Sequence, residues 1–156
     1  MRPRLWWVLA FFTLVLIVFG ATDIVNGVQA DPGITLALSG MTPDEVRAED
    51  PVGYRLYDFA TRSNGVLLAL LGVVLTTIIA IPYRSGQRWA WAVTWVFPVW
   101  AAVVPILYLS FGIAPGQPPA PPMVSGPIIA VITALVLIAD ARRFGPWRTS
   151  PASMTT

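Results

Sequence analysis

Ten arginines are arranged around four long apolar stretches in a way that leaves few folds open to this chain. The stretches run approximately over Leu5–Ala21, Val66–Ile81, Trp89–Phe111 and Val124–Ala139, and none contains a charged residue. Seven arginines (Arg2, Arg4, Arg84, Arg88, Arg142, Arg143, Arg148) fall at the N-terminus, between the second and third stretches, and at the C-terminus. The other three, Arg47, Arg55 and Arg62, lie between the first and second stretches with seven of the eight acidic residues. A chain that crosses a bilayer retains its arginine-rich short loops on the cytoplasmic side. The pattern therefore predicts four spans, with both termini and the 2–3 connection inside. Backbone groups in hydrocarbon find no water, so a span is either a helix or part of a closed barrel. A run such as Leu14-Val15-Leu16-Ile17-Val18-Phe19 is apolar on every side and lacks the alternation of a barrel strand.

The expected fold is an all-α, four-helix transmembrane bundle, with short extracytoplasmic helices between helices 1 and 2. Its domain plan is a single membrane domain over residues 1–148, an outer cap over 22–62, and a disordered tail over 149–156. Arginine-only basic usage and abundant Ala, Pro and Val point to a bacterial cytoplasmic membrane. The net charge of +2 does not signal nucleic acid, because the basic residues flank spans, where they meet anionic headgroups. The first stretch has features of a signal peptide, including a Val28-Gln29-Ala30 site. Its apolar run exceeds the usual length of about 7–15 residues, so it is read as a retained span.

The chain has no cysteine, histidine or lysine. That removes disulfides, thiolate or histidine metal sites, and Schiff-base chemistry. No cofactor or resident metal is expected. The acidic group Asp44, Glu45, Glu49 and Asp50 lacks calcium-loop spacing. No ionisable residue lies within the apolar stretches, whereas ion-coupled transporters bury at least one as a rule. Asp23 and Asp140 fall at the interfaces.

The first loop repeats one local signal. Asp31-Pro32, Thr42-Pro43 and Asp50-Pro51 each put a capping side chain before a proline suited to the first helical position. Thr42 with Glu45 forms a capping box, and Gly40 can close the first short helix. From Pro51 the pattern continues without a break into helix 2, which is read as projecting about three turns from the membrane. Val52, Leu56, Phe59, Ser63, Val66 and Leu70 form one face. Arg55/Asp58 and Asp58/Arg62 are spaced for ion pairs. Pro82–Arg88 makes a basic turn, predicting that helices 2 and 3 pack as an antiparallel hairpin. Pro98 and Pro105 predict two bends in helix 3. Gly112–Pro127 is expected to be extended, helix 4 short, and Gly126, Ala130 and Ala134 a close-packing stripe. The segment Arg142–Arg148 is expected to lie along the inner surface.

Two groups of residues are candidate ligand sites. Tyr54, Arg55, Tyr57, Asp58 and Arg62 could hold a lipid headgroup or polar ligand at the outer surface. Their plainer role is an ion-paired helix face with interfacial tyrosines. Trp95 and Trp100, deeper than Trp89 and Trp91, could line an apolar site, and their plainer role is packing.

The segment Pro82-Tyr83-Arg84-Ser85-Gly86-Gln87-Arg88-Trp89-Ala90-Trp91 resembles the "RRGERWAW" hairpin of small four-span bacterial and archaeal membrane proteins. Gly40-Met41-Thr42-Pro43-Asp44-Glu45 and Asp50-Pro51 resemble the first loop of the same group. Gln87 stands where an acidic residue is common in that group. The resemblance implies the four-span layout and brings no activity or catalytic residue with it.

Three functions follow as expectations. The first is a non-enzymatic accessory or scaffold protein, with a protein partner or a second copy in the membrane. The second is a carrier or binder of an apolar or lipid molecule. The third is a lipid-modifying enzyme using Asp58 or Asp23, which a carboxylate of raised pKa in a cleft would favour.

Overall fold

The computed structural model describes residues 5–113 and 121–144. All regular structure among them is helical: α1 (Trp6–Asn26), α2 (Pro32–Ser39), α3 (Pro43–Glu49), α4 (Pro51–Ile78), α5 (Arg88–Thr94), α6 (Val96–Ser110) and α7 (Pro121–Asp140). A 3₁₀ turn over Gly27–Ala30 extends α1, a π-helical turn over Ile79–Tyr83 extends α4, and a 3₁₀ turn over Ala141–Arg143 extends α7. Four segments are long and apolar enough to cross a membrane: Trp6–Ala30, Pro51–Tyr83, Arg88–Ser110 and Pro122–Arg143. The expected all-α four-helix bundle is the architecture found, and it is compatible with a multi-pass membrane protein. The expected disorder of 149–156, and Arg148 itself, lie outside the described residues.

The bundle is built from two helix pairs. Helix 1 (α1) packs along helix 2 (α4), and the long second half of helix 3 (α6) packs along helix 4 (α7). Glycines set the first pair. A Cβ on Gly20 would lie 2.6 Å from the Gly65 carbonyl oxygen, and one on Gly65 would lie 2.7 Å from both the Gly20 oxygen and Asp23 Cβ. A Cβ on Gly72 would lie 2.6 Å from Ile17 Cγ1. Only hydrogen leaves the two backbones this close, the usual device for helix association where hydrocarbon surrounds both partners. The Thr76 hydroxyl adds a 2.8 Å hydrogen bond to the Thr13 hydroxyl across the pair. In the second pair, Gly126 fits against the Pro105 ring and the Ala101 carbonyl, at 2.7 and 2.9 Å from where its Cβ would be.

This arrangement corrects three expectations. The backbones of helices 2 and 3 approach closely beside their connecting turn, and farther along only side chains such as Leu75 and Phe97 meet, because each helix has a better glycine-lined partner elsewhere. The face of helix 2 that carries Val52, Leu56 and Phe59 is exposed, at 67%, 71% and 69%, while Leu75 packs inward with Leu16 and Phe97. Helix 3 is interrupted once, at Trp95, one turn before Pro98, where the missing proline N–H breaks the ladder. Pro105 lies within continuous helix. Finally, helix 4 is already helical from Pro121 rather than after Pro127: Pro121 and Pro122 occupy first-turn positions whose N–H is not needed, and Pro127 lies inside the helix.

The two pairs are joined at the end carrying the 2–3 turn. Leu9, Ile79, Tyr83, Ala90, Val136, Leu137 and Phe144 form a buried cluster there. The Tyr83 hydroxyl donates to Asp140 Oδ2 at 2.9 Å, and Trp91 Nε1 donates to the Leu137 carbonyl at 3.0 Å. Asp140 is thus buried against Tyr83. Arg88 Nε donates to the Phe144 carbonyl and Arg143 Nη2 to the Arg84 carbonyl. Mid-depth, Leu16, Leu75 and Phe97 form a second cluster across the pairs.

Candidate functional site

The opposite end of the bundle is the cap, and its local structure follows the capping signals closely. Thr42 Oγ1 accepts from the Glu45 N–H, and Glu45 returns a bond to the Thr42 N–H at 2.7 Å, completing the box. These bonds hold the Glu45 carboxyl below its ordinary pKa. Asp50 caps α4 by accepting from the Gly53 N–H at 2.9 Å. Gly40 ends α2 in the left-handed conformation at φ +73°, its N–H bonded to the Leu36 carbonyl.

The Asp58–Arg62 part of the sequence-derived cluster clasps helix 1. Arg62 Nε bonds Asp58 Oδ2 at 2.8 Å, while Arg62 Nη1 donates to the carbonyls of Ile24 and Val25 at 2.5 and 2.9 Å. Asp58 Oδ1 accepts from the Val28 N–H at 3.1 Å. One ion pair therefore satisfies two carbonyls at the end of α1 and the Val28 N–H beyond it. It also explains why α1 continues to Asn26, further than its apolar run. Gly27 turns there at φ +56°, and any side chain on it would overlap Asp58 Oδ1.

The other members of that cluster go elsewhere. Arg55 does not pair with Asp58; its Nε donates to the Pro51 carbonyl at 3.3 Å. Tyr54 faces α3, with the Arg47 guanidinium 5.8 Å from its ring centre. Tyr57 is partly buried and faces Thr35 of α2. Trp95 lies edge-on to Trp91 beside the Tyr83 cluster, and Trp100 stacks on Phe97 at mid-depth.

A groove of about 630 Å³ opens between helix 1 and helix 4. It is lined by Phe11, Phe12, Val15 and Phe19 from α1, and by Val124, Ser125, Ile128 and Ile129 from α7. Neither Trp95 nor Trp100 lines it. Sequence reading missed this site because its two walls are ordinary apolar helix faces, distant in sequence, and only the packing of the two pairs leaves space between them. Among the described residues no group of three His, Cys, Asp or Glu side chains is placed to hold a metal ion. Compared with known protein families, curated proteins and solved structures, the chain matches none.

Proposed function

We propose that this is a multi-pass protein of the bacterial cytoplasmic membrane, with both termini inside, that binds an apolar or lipid molecule between its two helix pairs. The observation that carries the reading is the wide, shallow apolar groove of about 630 Å³ between α1 and α7. Its lining is almost wholly hydrocarbon and aromatic, which suits an acyl chain. Native mass spectrometry of the protein extracted in mild detergent tests this. The wild type is expected to retain lipid, and Ile128→Trp, which fills the groove from a 53% exposed position, is expected to lose it without unfolding. Identical bound species in both proteins would remove the groove from consideration.

A second reading, an accessory or scaffold protein, draws on a different feature. The helical segment Pro51–Tyr83 has 33 residues, roughly 50 Å of helix against a hydrocarbon core of about 30 Å. Val52, Leu56 and Phe59 stand exposed on its distal part. A photo-crosslinker at Leu56 that captures a second protein in native membrane would favour this reading.

A further inference from the structure

One face of helix 2 keeps the same character along its whole length. At about 3.6 residues per turn, Val52, Leu56, Phe59, Leu67, Leu70 and Val74 all fall within about 60° of a single line drawn along the helix. Each is exposed over more than half of its surface. No acidic residue shares the face, and Arg55 lies at its edge. The residues beside it turn to the protein: Tyr54 to Arg47 of α3, and Arg62 to Asp58 and the end of α1. Leu67, Leu70 and Val74 belong to the apolar stretch that crosses the membrane. Val52, Leu56 and Phe59 continue their face into the cap with side chains of the same kind.

Helix length bears on what covers that continuation. The four apolar segments have 25, 33, 23 and 22 residues, which make roughly 37, 50, 34 and 33 Å of helix. All exceed a hydrocarbon core of about 30 Å, and a span with excess length relieves it by leaning. Helices 1 and 2 lean together, because the Gly20–Gly65 crossing, the Gly72–Ile17 contact and the Arg62 clasp lock them along their length. A lean of about 35°, within the range known for spans, reduces helix 1 to about 30 Å of depth and helix 2 to about 41 Å. The first depth matches the hydrocarbon core, and the second matches the about 40–45 Å of a bilayer with its headgroup layers. An upright helix 2 would instead lift Val52 and Leu56 into water.

The exposed face sets the direction of the lean. A helix that leans toward its own exposed face turns that face down onto the headgroup layer, and the opposite side, which holds α3, rides above it. Arg55 suits this position. Its Nε is on the Pro51 carbonyl, and among the described residues it pairs with no carboxylate. Its stem can lie along apolar surface while its guanidinium meets lipid phosphate. The inner end has a matching anchor, the Arg84 guanidinium 5.1 Å from the centre of the Trp6 ring. A protein partner would have to bring a separate apolar surface to the cap, whereas lipid already covers the same face a few turns away. We propose that Val52, Leu56 and Phe59, with Arg55, form a docking surface for the lipid layer on the cap side of the membrane. The three apolar side chains insert at the boundary between headgroups and acyl chains, and the first helix pair leans to place them there. The inference is independent of the groove.

The chain has no cysteine, so a single introduced cysteine carries a spin label without competition. The full chain is reconstituted in phosphatidylcholine vesicles. Collision of the label with oxygen, which concentrates in hydrocarbon, is compared with collision with a water-soluble nickel chelate. Labels at Leu70 and at Glu49, both exposed, give the hydrocarbon and water references. At Val52, Leu56 and Phe59 the oxygen-to-nickel ratio is expected to be several-fold above that at Glu49 and below that at Leu70, highest of the three at Phe59. Ratios equal to that at Glu49 would overturn the proposal and leave helix 2 standing in water. Exclusion of both reagents would overturn it in favour of a protein cover, which in these vesicles is a second copy of the chain. The three positions are independent variants on one face, so the loss of one to misfolding leaves two that decide.

Discussion

At the scale of single residues, Asp58 illustrates how spacing and role can part company. Its position three residues after Arg55 and four before Arg62 marks it in the sequence as a doubly paired surface carboxylate. In the fold it pairs with Arg62 alone and accepts the Val28 N–H with its other oxygen, a partner 30 residues away. Exposed ion pairs contribute at most about 1 kcal/mol. This pair is only partly exposed, at 24% for the Asp58 side chain, and it also bonds the Val28 N–H and the Ile24 and Val25 carbonyls. Asp58→Ala is therefore expected to destabilise the protein by roughly 1.5–3 kcal/mol, the range for hydrogen bonds to charged groups. Thermal unfolding in detergent measures it, and a loss no larger than that of Arg55→Ala would show that the clasp contributes nothing special. Asp31 shows the converse. Its sequence context reads as a helix cap like Asp50, and nothing local distinguishes the two. The difference lies in burial, which raises the Asp31 carboxyl to about 6 and which its neighbours in sequence do not reveal.

At the scale of elements, what was legible was whatever local chemistry decides. The capping box at Thr42, the left-handed Gly40 and the unbroken run from Pro51 into helix 2 all follow from neighbours within a few residues. Less legible were the ends set by distant partners, as where Arg62 prolongs α1. Helix pairing was harder still. Hydrophobic periodicity identifies a buried face when water surrounds the protein, but in hydrocarbon large side chains gain nothing by turning inward. Gly20, Gly65 and Gly72 were the signal that mattered; Gly20 and Gly72 sit in sequence that reads simply as apolar helix, and Asn64-Gly65 reads as a weak point of helix 2. Gly65→Leu is expected to separate helices 1 and 2 and cost several kcal/mol, in the manner of an overpacked core. Leu67→Ala, at a position 67% exposed and two residues away, is expected to be nearly silent. Equal unfolding temperatures for the two variants in the same detergent would mean that the glycine crossing is not a close contact.

At the scale of the whole molecule, the distribution of arginines predicts the direction of threading. Cysteine placed at Ser39 in the cap is expected to react with a membrane-impermeant thiol reagent in intact cells, and cysteine at Ser85 in the 2–3 turn is expected to be protected. The reverse pattern would invert the topology and place the cap inside. The pairing of helix 1 with helix 2 also bears on how the molecule is made. Synthesis runs from the N-terminus, so residues 6–83 leave the ribosome first, and the Gly20–Gly65 crossing, the Thr13–Thr76 bond and the Arg62 clasp all lie within them. The first pair can complete its own contacts while the second is still being translated. Helices 3 and 4 then dock onto a finished surface, held at one end by Tyr83, Arg84 and Arg88. The groove exists only after that last step, which makes its occupancy a natural reporter of completed biogenesis.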